Sequence, residues 1–229
     1  MLLQITQLTT YKILPTSKND GFVEMVPNCK SLRVIINESS GDLQGYLRKL
    51  NPNPTGPFGM EPNVLSNFVR SCAGYCAITY VLCIGDRHLD NLLLTKDGHL
   101  FHIDFGMIGR EPPTKIRSPP IKLSIEMVQL MGGQQSPHFV LFNQLCVEAY
   151  NILRKNANLI LNLVYLMSNS SVEDLANERT RLQMQERFQL HLSDEEAGKS
   201  LQKVLQDCVT ALFGRLNETL HAIKYNIFE

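Results

Sequence analysis

Two short segments of this 229-residue chain contain the residues that could carry out chemistry. The first covers residues 85–91 and includes Asp86 and His88, and the second reads Asp-Phe-Gly from Asp104. Transfer of a phosphoryl group needs oxygen ligands for the Mg²⁺ on the nucleotide phosphates and a group that takes the proton of the attacking hydroxyl. Together the two segments contain both kinds of group and predict a phosphoryl-transfer site.

Each polar side chain in these segments suits one task. Asn91 and Asp104 offer amide and carboxylate oxygens to a metal ion, whereas Asp86 and His88 suit proton transfer and positioning. An isolated Asp-Phe-Gly is a weak indication, because Asp and Gly are common in turns. The prediction therefore depends on both segments occurring together at this spacing.

A β-hairpin is the element that must bring the two segments together. Two apolar runs, at residues 91–94 and 99–103, flank an Asp-Gly turn within residues 95–98, and this pattern is typical of a hairpin. Because the outer ends of a hairpin lie side by side, we expect the two segments to meet in space. For His99 and His102, on the second strand, a structural and a functional role both remain open.

The rest of the sequence predicts mainly helices around this hairpin. Short apolar runs at 11–14, 22–26 and 32–36, separated by Pro, Asn and Gly, favour strands and turns. A Pro- and Gly-rich loop covers 51–59. Apolar residues repeat at helical spacing over 63–82, and from Ser136 onward periodicity and start signals predict further helices, the last from Asp194 to about residue 225.

Composition limits the class of protein. The 22 Lys and Arg balance the 22 Asp and Glu, and a formal net charge of zero argues against a mainly electrostatic nucleic-acid binder. The longest apolar run, residues 72–85, is shorter than the ~20 residues that span a bilayer. Six cysteines contain no Cys-x-x-Cys pair, which favours a reducing, cytoplasmic compartment.

Three stretches closely resemble the catalytic core of the phosphatidylinositol 3-kinases, and among these the class III enzymes. They are residues 71–76, 85–96 and 101–106, and the resemblance extends over almost the whole chain. The order Asp-Arg-His, which reverses the His-Arg-Asp of ordinary protein kinases, is typical of the lipid-kinase and related-kinase branch. The resemblance implies an α+β, protein-kinase-like fold (PI3/PI4-kinase), with a mostly helical large lobe, a catalytic β-hairpin and a remnant of the small lobe.

The resemblance also implies a division of the chain. Residues 1–28 correspond to the end of the small lobe and the hinge, and residues 29–229 to the C-terminal lobe. Within that lobe lie a catalytic loop (85–94), an activation loop (104–123) and C-terminal helices (136–226). The phosphate-gripping loop and the ATP-binding lysine of the family precede the hinge, so we expect this chain to be the back of a bilobal domain, with doubtful activity alone.

Roles in the site follow by similarity to the family. The catalytic residues are Asp86, Arg87 and His88, with His88 as the base that acts on the inositol 3-hydroxyl, and the metal ligands are Asn91 and Asp104. The implied ATP-binding residues are Glu24, Met25 and Val26 in the hinge, where the backbone of Glu24 and Val26 meets adenine, and Leu93 and Ile103 beneath the base. The implied cofactors are ATP and Mg²⁺, with Mn²⁺ as an alternative metal.

Lipid and membrane contacts complete the implied site. Three basic residues of the activation loop correspond to those that bind the lipid headgroup, namely Arg110, Lys115 and Arg117, although they could also be solvated charges that touch only the membrane surface. Three residues of the C-terminal tail would contact the membrane, namely Tyr225, Ile227 and Phe228, although packing of the tail on the lobe is the alternative. For the hinge residues, the alternative to adenine binding is that they form an ordinary strand end.

The resulting hypothesis is a phosphatidylinositol 3-kinase that transfers the ATP γ-phosphate to phosphatidylinositol. Family resemblance implies a cytoplasmic protein, peripheral on endosomal and autophagic membranes. The implied partners are phosphatidylinositol, a protein-kinase-like regulatory subunit and an autophagy-related coiled-coil protein, and no nucleic acid. Two alternatives remain open: a protein kinase of the related branch, and a non-catalytic binding module.

Overall fold

The computed structural model describes residues 2–17, 19–109, 119–170 and 172–227, without the side chains of Leu3 and of residues 215–227. In these residues the α-helices are Leu2–Thr6 (α1), Leu32–Glu38 (α2), Leu43–Leu50 (α3), Pro62–Val81 (α4), Ile125–Leu130 (α5), Pro137–Lys155 (α6), Ala157–Leu166 (α7), Glu173–Ala176 (α8), Glu178–Phe188 (α9) and Asp194–Ile227 (α10). The strands are Ile13–Pro15 (β1), Gly21–Val23 (β2), Cys29–Ser31 (β3), Leu92–Thr95 (β4) and Leu100–His102 (β5). Short 3₁₀ turns cover Pro57–Gly59 and Met167–Asn169.

The strands form two small antiparallel sheets. β1 pairs with β2, and a second sheet has the order β3-β4-β5, in which Leu93 lies opposite both Ser31 and Phe101. The pairing of β4 with β5 confirms the predicted hairpin. The mostly helical content with small sheets confirms the predicted α+β class.

One predicted strand is wrong. Residues 32–36 begin helix α2, because the side chain of Ser31 accepts a hydrogen bond from the Val34 N–H at 3.4 Å and caps the helix. The buried positions are Leu32 and Ile35, three residues apart, whereas a half-buried strand would bury every second residue. A short apolar run gives little distinction between these two patterns.

Helix α4 lies at the centre of the core. It packs against α6, α1 and β5, and α6 in turn packs against α10. Among the described residues, the bulkiest fully buried side chains are aromatic: Tyr150, Phe68, Phe101, Phe142 and Phe188. All six cysteines are free thiols, and no helix in the described ranges has the length and apolar character needed to cross a membrane.

The β4–β5 hairpin is anchored on α4. Asn67 Nδ2 donates a hydrogen bond to the Asp97 carbonyl at 2.9 Å, and the Leu100 N–H donates to Ser71 Oγ at 2.9 Å. At the turn, Gly98 has φ +92°, and a Cβ there would lie 2.2 Å from the Val64 carbonyl oxygen. Only glycine fits this close approach, so the turn fixes the hairpin against the helix.

Candidate active site

The two predicted segments meet because backbone hydrogen bonds join them at two places. Ile84 forms an antiparallel bridge with Ile108, and the Gly85 N–H donates a hydrogen bond to the Met107 carbonyl at 2.8 Å. At the other end, the Ile103 N–H donates to the Asn91 carbonyl at 3.1 Å. The expected approach of the two segments is therefore confirmed, and it is held by backbone hydrogen bonds on both sides of the site.

Arg87 joins the two segments from inside. Its side chain is buried, with 8% of the residue exposed. Nε donates to the Gly85 carbonyl at 2.7 Å, Nη1 donates to the Ile103 carbonyl at 2.7 Å, and Nη2 donates to the Asp104 carbonyl. Burial lowers the pKa of Arg87, and the negative charges of Asp104 and Asp86 oppose this shift. These bonds make Arg87 a positioning residue, since they all end on the backbone.

Both aspartates of the site have an uncommon backbone conformation. Asp86 has φ +52° and Asp104 has φ +58°, in the left-handed region that costs a non-glycine residue about 1 kcal/mol. Each carbonyl is held by a side chain: Asn91 Nδ2 donates to that of Asp86 at 3.0 Å, and Arg87 donates to that of Asp104. Such conformations persist where the surrounding contacts impose them, and they are frequent in active sites.

His88 lies between two carboxylates. Its Nε2 is 3.9 Å from Asp86 Oδ2, and its Nδ1 is 3.5 Å from Asp90 Oδ2. The three side chains are each about half exposed. An accessible imidazole with a nearby carboxylate has the arrangement of a general base that a substrate hydroxyl can reach.

Asn91 and Asp104 provide donor atoms that fit a magnesium ion. Asn91 is buried, and its amide nitrogen is used by the Asp86 carbonyl, which distinguishes the nitrogen from the oxygen that would bind a metal. The Asp104 carboxylate is exposed, and its Oδ1 accepts a hydrogen bond from the Gly106 N–H at 3.2 Å. One or two oxygen ligands from the protein, with nucleotide phosphates and water, are typical of Mg²⁺.

The predicted adenine-binding residues lie after β2. The Glu24 N–H donates to the Lys12 carbonyl at 2.9 Å, so this donor is already used. In the described part of the chain, the Glu24 carbonyl and the Val26 N–H have no hydrogen-bond partner. Met25 is 88% exposed. A base could therefore meet one acceptor and one donor here, two residues apart.

The predicted apolar floor combines Leu93 on β4 with Ile103, which directly follows β5. Leu93 and Ile103 are both half-buried, and Leu93 pairs with Phe101 across the hairpin. Phe101 is covered by Tyr11, whose ring centroid lies 6.2 Å away and whose hydroxyl donates to the His102 carbonyl at 3.1 Å. Burial raises the pKa of Tyr11, and Arg87 and Asp104 also act on it, in opposite directions.

The two open histidines have structural surroundings. The ring of His102 is stacked on that of Tyr75 with centroids 4.5 Å apart, and burial lowers the pKa of His102 to about 3, with a further contribution from Arg87. His99 lies at the turn, with Nδ1 3.2 Å from Asp97 Oδ2. These contacts favour the structural role for both residues.

Comparison with known proteins agrees with the resemblance. Residues 2–176 match the family described as phosphatidylinositol 3- and 4-kinase. This chain belongs to that family. It is 49% identical over 217 residues to a phosphatidylinositol 3-kinase, root isoform, of Glycine max, which covers 93% of this chain and 26% of the relative.

Other relatives give the same result. Phosphatidylinositol 3-kinase VPS34 of Arabidopsis thaliana is 48% identical over 93% of this chain and 26% of its own length. The VPS34 enzyme of Saccharomyces cerevisiae is 44% identical over 94% of this chain and 24% of its own length. The resemblance to the class III enzymes is thus confirmed, and the chain spans about a quarter of the length of these relatives.

Within this chain, some of the residues that the resemblance implies lie outside the described part. These are Arg110, Lys115, Arg117 and Phe228, and the side chains of Tyr225 and Ile227. Sequence reasoning missed three residues that the structure brings to the site. Asp90 lies inside the first segment and could have been considered there, whereas nothing in the local sequence distinguishes Tyr11 or Arg33.

Proposed function

We propose that the protein that carries this chain is a phosphatidylinositol 3-kinase, which transfers the γ-phosphate of ATP to the 3-hydroxyl of phosphatidylinositol. The proposal rests mainly on the hydrogen bonds that Arg87 and Asn91 donate to the backbone. These bonds hold together the two segments that contain Asp86, His88, Asn91 and Asp104. The printed names of its relatives give further support. In this assignment residues 1–28 are the end of the small lobe and the hinge, and residues 29–229 are the C-terminal lobe.

The proposed step uses His88 as the general base. The inositol 3-oxygen forms a bond to the γ-phosphorus, the bond from that phosphorus to the β,γ-bridging oxygen breaks, and ADP leaves. The hydroxyl proton passes to His88, and Asp86, 3.9 Å from its Nε2, lies beside the same edge of the ring. Asn91 and Asp104 would hold Mg²⁺, or Mn²⁺, which neutralises charge on the phosphates when bound.

Adenine would bind at the hinge, on the side of the second sheet. The Glu24 carbonyl and the Val26 N–H match the donor and acceptor of its amino edge, and Met25 lies between them. Leu93 and Ile103 provide a half-buried apolar surface beneath the base. An apolar surface with two hydrogen-bonding backbone groups is suited to bind the flat, weakly polar adenine ring.

The lipid headgroup would bind to the activation loop, and the C-terminal tail would contact the membrane. The cations Arg110, Lys115 and Arg117 would bind the anionic headgroup. The side chains of Tyr225, Ile227 and Phe228 would insert at the membrane surface. With these contacts we place the protein on endosomal and autophagic membranes, together with a protein-kinase-like regulatory subunit and an autophagy-related coiled-coil protein.

A lipid-kinase assay tests the proposed function. The protein, as its gene encodes it, is incubated with labelled ATP, Mg²⁺ and phosphatidylinositol vesicles, and the position of the new phosphate is determined by chromatography against 3- and 4-phosphate standards. We expect the 3-phosphate. His88→Ala should lower the rate at least about 100-fold, the range typical of a lost general base. His99→Ala, which removes a histidine from the far end of the hairpin, is the matched control.

Three results would contradict the proposal. Formation of the 4-phosphate would change the reaction. Phosphorylation of a peptide but not of the lipid would favour the related protein kinases, and no transfer to either substrate would favour a binding module.

A further inference from the structure

Helix α8 contacts the chain just after the Asp-Phe-Gly segment. The Ile108 N–H donates a hydrogen bond to Asp174 Oδ2 at 2.8 Å, across 66 positions of sequence. Asp174 belongs to the first turn of α8 and is buried, with 6% of the residue exposed. Burial of a carboxylate is costly unless it has polar partners, so packing alone does not explain an aspartate at this position.

The side chain of Ile108 is attached to the same region. It packs against a small apolar cluster formed by Cys83, Val164, Leu175 and Met184. Leu175 of this cluster follows Asp174 directly in the chain. Helix α8 therefore provides both an acceptor for the backbone of Ile108 and part of the apolar surface for its side chain.

The next residue, Gly109, is enclosed as closely. It has φ +69°, and its N–H donates to the Cys83 carbonyl at 2.7 Å. A Cβ on Gly109 would lie 2.4 Å from Thr180 Cγ2 and 2.6 Å from Thr180 Oγ1, and Thr180 is a buried residue of α9. The backbone at this point is therefore held between Cys83 on one side and the helices α8 and α9 on the other.

The contact with Asp174 acts downstream of Asp104. The Asp104 carbonyl accepts a hydrogen bond from Arg87, so the proposed metal ligand has an attachment of its own. Arg110, the first of the proposed lipid-binding residues, follows Gly109 directly. Loss of the Asp174 contact should therefore affect binding of the lipid more than binding of ATP.

We propose that Asp174 is a positioning residue for the lipid substrate, whose carboxylate holds the backbone of Ile108 and thereby sets where the headgroup-binding segment begins. This inference rests on the proposed function, because it takes Arg110, Lys115 and Arg117 as the residues that bind the headgroup. A purely structural role makes a different prediction. Loss of folded protein would lower the rate at every substrate concentration and leave both KM values unchanged.

Steady-state kinetics of the whole protein separates these two roles. The rate is measured with varied mole fractions of phosphatidylinositol in vesicles at fixed ATP, and then with varied ATP at fixed lipid. Asp174→Ala should raise KM for the lipid about 10-fold, the effect of one lost hydrogen bond to a charged group, and leave KM for ATP unchanged. Asp174→Asn keeps an oxygen that can accept from the Ile108 N–H, so its KM for the lipid should stay within about 3-fold of wild type.

Asp42→Ala is the matched control. Asp42 Oδ1 accepts a hydrogen bond from the Gly45 N–H at 2.8 Å, at the start of α3, so the same kind of bond is lost away from the Asp-Phe-Gly segment. This variant should be less stable in urea, because the helix loses its cap, and should keep both KM values of wild type.

Gly109→Ala displaces the same backbone from the other side, and it tests the inference if Asp174→Ala does not fold. The added Cβ would meet Thr180, so KM for the lipid should rise although Asp174 is intact. Adding Thr180→Ala removes the two closest of the contacting atoms and should restore part of the lipid binding. Urea unfolding of each variant shows whether it is folded under the assay conditions.

The possible results separate the inference from the proposed function. A KM for the lipid equal to that of wild type in Asp174→Ala and Gly109→Ala, or an equal rise in the KM values for lipid and ATP, would overturn the inference alone. A wild-type protein without activity on phosphatidylinositol would instead overturn the proposed function, and the role of Asp174 with it.

Discussion

Arg87 donates a hydrogen bond to the backbone carbonyl of Asp104, which lies 17 residues further along the chain. The same guanidinium donates to Ile103 and to Gly85, and it lies 5.3 Å from the centre of the Phe105 ring. The segment that contains His88 is thus connected to the segment that contains Asp104 by one planar group. Arg87 therefore holds the proposed base, His88, close to the proposed metal ligand, Asp104.

Replacement of Arg87 by lysine should impair both stability and activity. An ammonium cannot match the planar set of donors, so at least one partly buried carbonyl loses its partner, at a cost of about 1 kcal/mol. We expect kcat for the lipid to fall about 100-fold, because a displaced Asp104 or His88 loses its catalytic geometry. Urea unfolding and the lipid-kinase assay measure the two effects.

Arg70→Lys is a suitable comparison for this variant. Arg70 also donates to a backbone carbonyl, that of Ile5 at 2.9 Å, but it lies away from the active site. It should change stability and leave kcat unaltered. Equal kcat values for Arg87→Lys and wild type would show that the hydrogen bonds of Arg87 do not control the site geometry.

The close approach of Gly98 to α4 gives a second prediction. Gly98→Ala should lower the free energy of unfolding by about 2 to 4 kcal/mol, because it combines a strained φ with a Cβ in contact with the Val64 carbonyl. Gly133→Ala is matched in φ, at +86°, but has no atom within 4 Å of its added Cβ. It should cost about 1 kcal/mol. Urea unfolding of both variants measures the difference, and equal losses would contradict the importance of the contact.

Local signals account for the parts of the fold that the sequence predicted. The Asp97-Gly98 turn needs a residue with positive φ, and Gly98 indeed has φ +92°. The capping box at the start of α10 is also present, since the Ser193 N–H donates to Glu196 Oε2 at 2.9 Å and the Glu196 N–H donates to Ser193 Oγ at 3.3 Å. These features depend on residues within four positions of one another.

Contacts between distant residues account for what the sequence did not predict. Arg33 and Asp90 are separated by 57 positions, and Tyr11 and His102 by 91. Neither pair has a periodicity or spacing that predicts its contact, because each depends on how helices and sheets pack in three dimensions. Helix α2 was missed for a related reason, since five apolar-rich residues fit either a strand or a helix until their cap is known.

The third prediction concerns metal dependence, because the Asn91 amide nitrogen binds the Asp86 carbonyl and its oxygen is a proposed metal ligand. Asn91→Ala removes one proposed oxygen ligand, so the Mg²⁺ concentration for half-maximal activity should rise about 10- to 100-fold. Asn91→Asp keeps an oxygen but loses the donor to the Asp86 carbonyl, so it should lower kcat with a smaller change in the Mg²⁺ response. Titration of activity with Mg²⁺ in a chelator-treated sample measures both.

A matched amide serves as the control for the metal titration. Asn143 Nδ2 donates to the Phe139 carbonyl at 2.9 Å within α6, outside the site. Asn143→Ala should leave the Mg²⁺ response unaltered. If Asn91→Ala also left it unaltered, Asn91 would not be a metal ligand.

Tyr150 should make the protein less stable in alkaline solution. Its hydroxyl donates to the Arg187 carbonyl at 2.6 Å, and burial raises the pKa of Tyr150 to about 12, with Tyr80 adding to the shift and Arg154 opposing it. The unfolded chain loses this proton near pH 10, whereas the folded protein keeps it until about pH 12. The stabilisation is therefore complete below pH 10 and is lost as the pH rises from 10 to 12.

Urea unfolding at pH 9, 10 and 11 checks this behaviour. Tyr150→Phe removes the hydroxyl, so the free energy of unfolding should fall less steeply above pH 10 than in wild type, although the variant is less stable at pH 7 because the Arg187 carbonyl loses its donor. Tyr165→Phe is the matched control, since Tyr165 is 66% exposed and should leave the wild-type slope intact. A slope for Tyr150→Phe equal to that of wild type would mean that this hydroxyl titrates alike in the folded and unfolded chain.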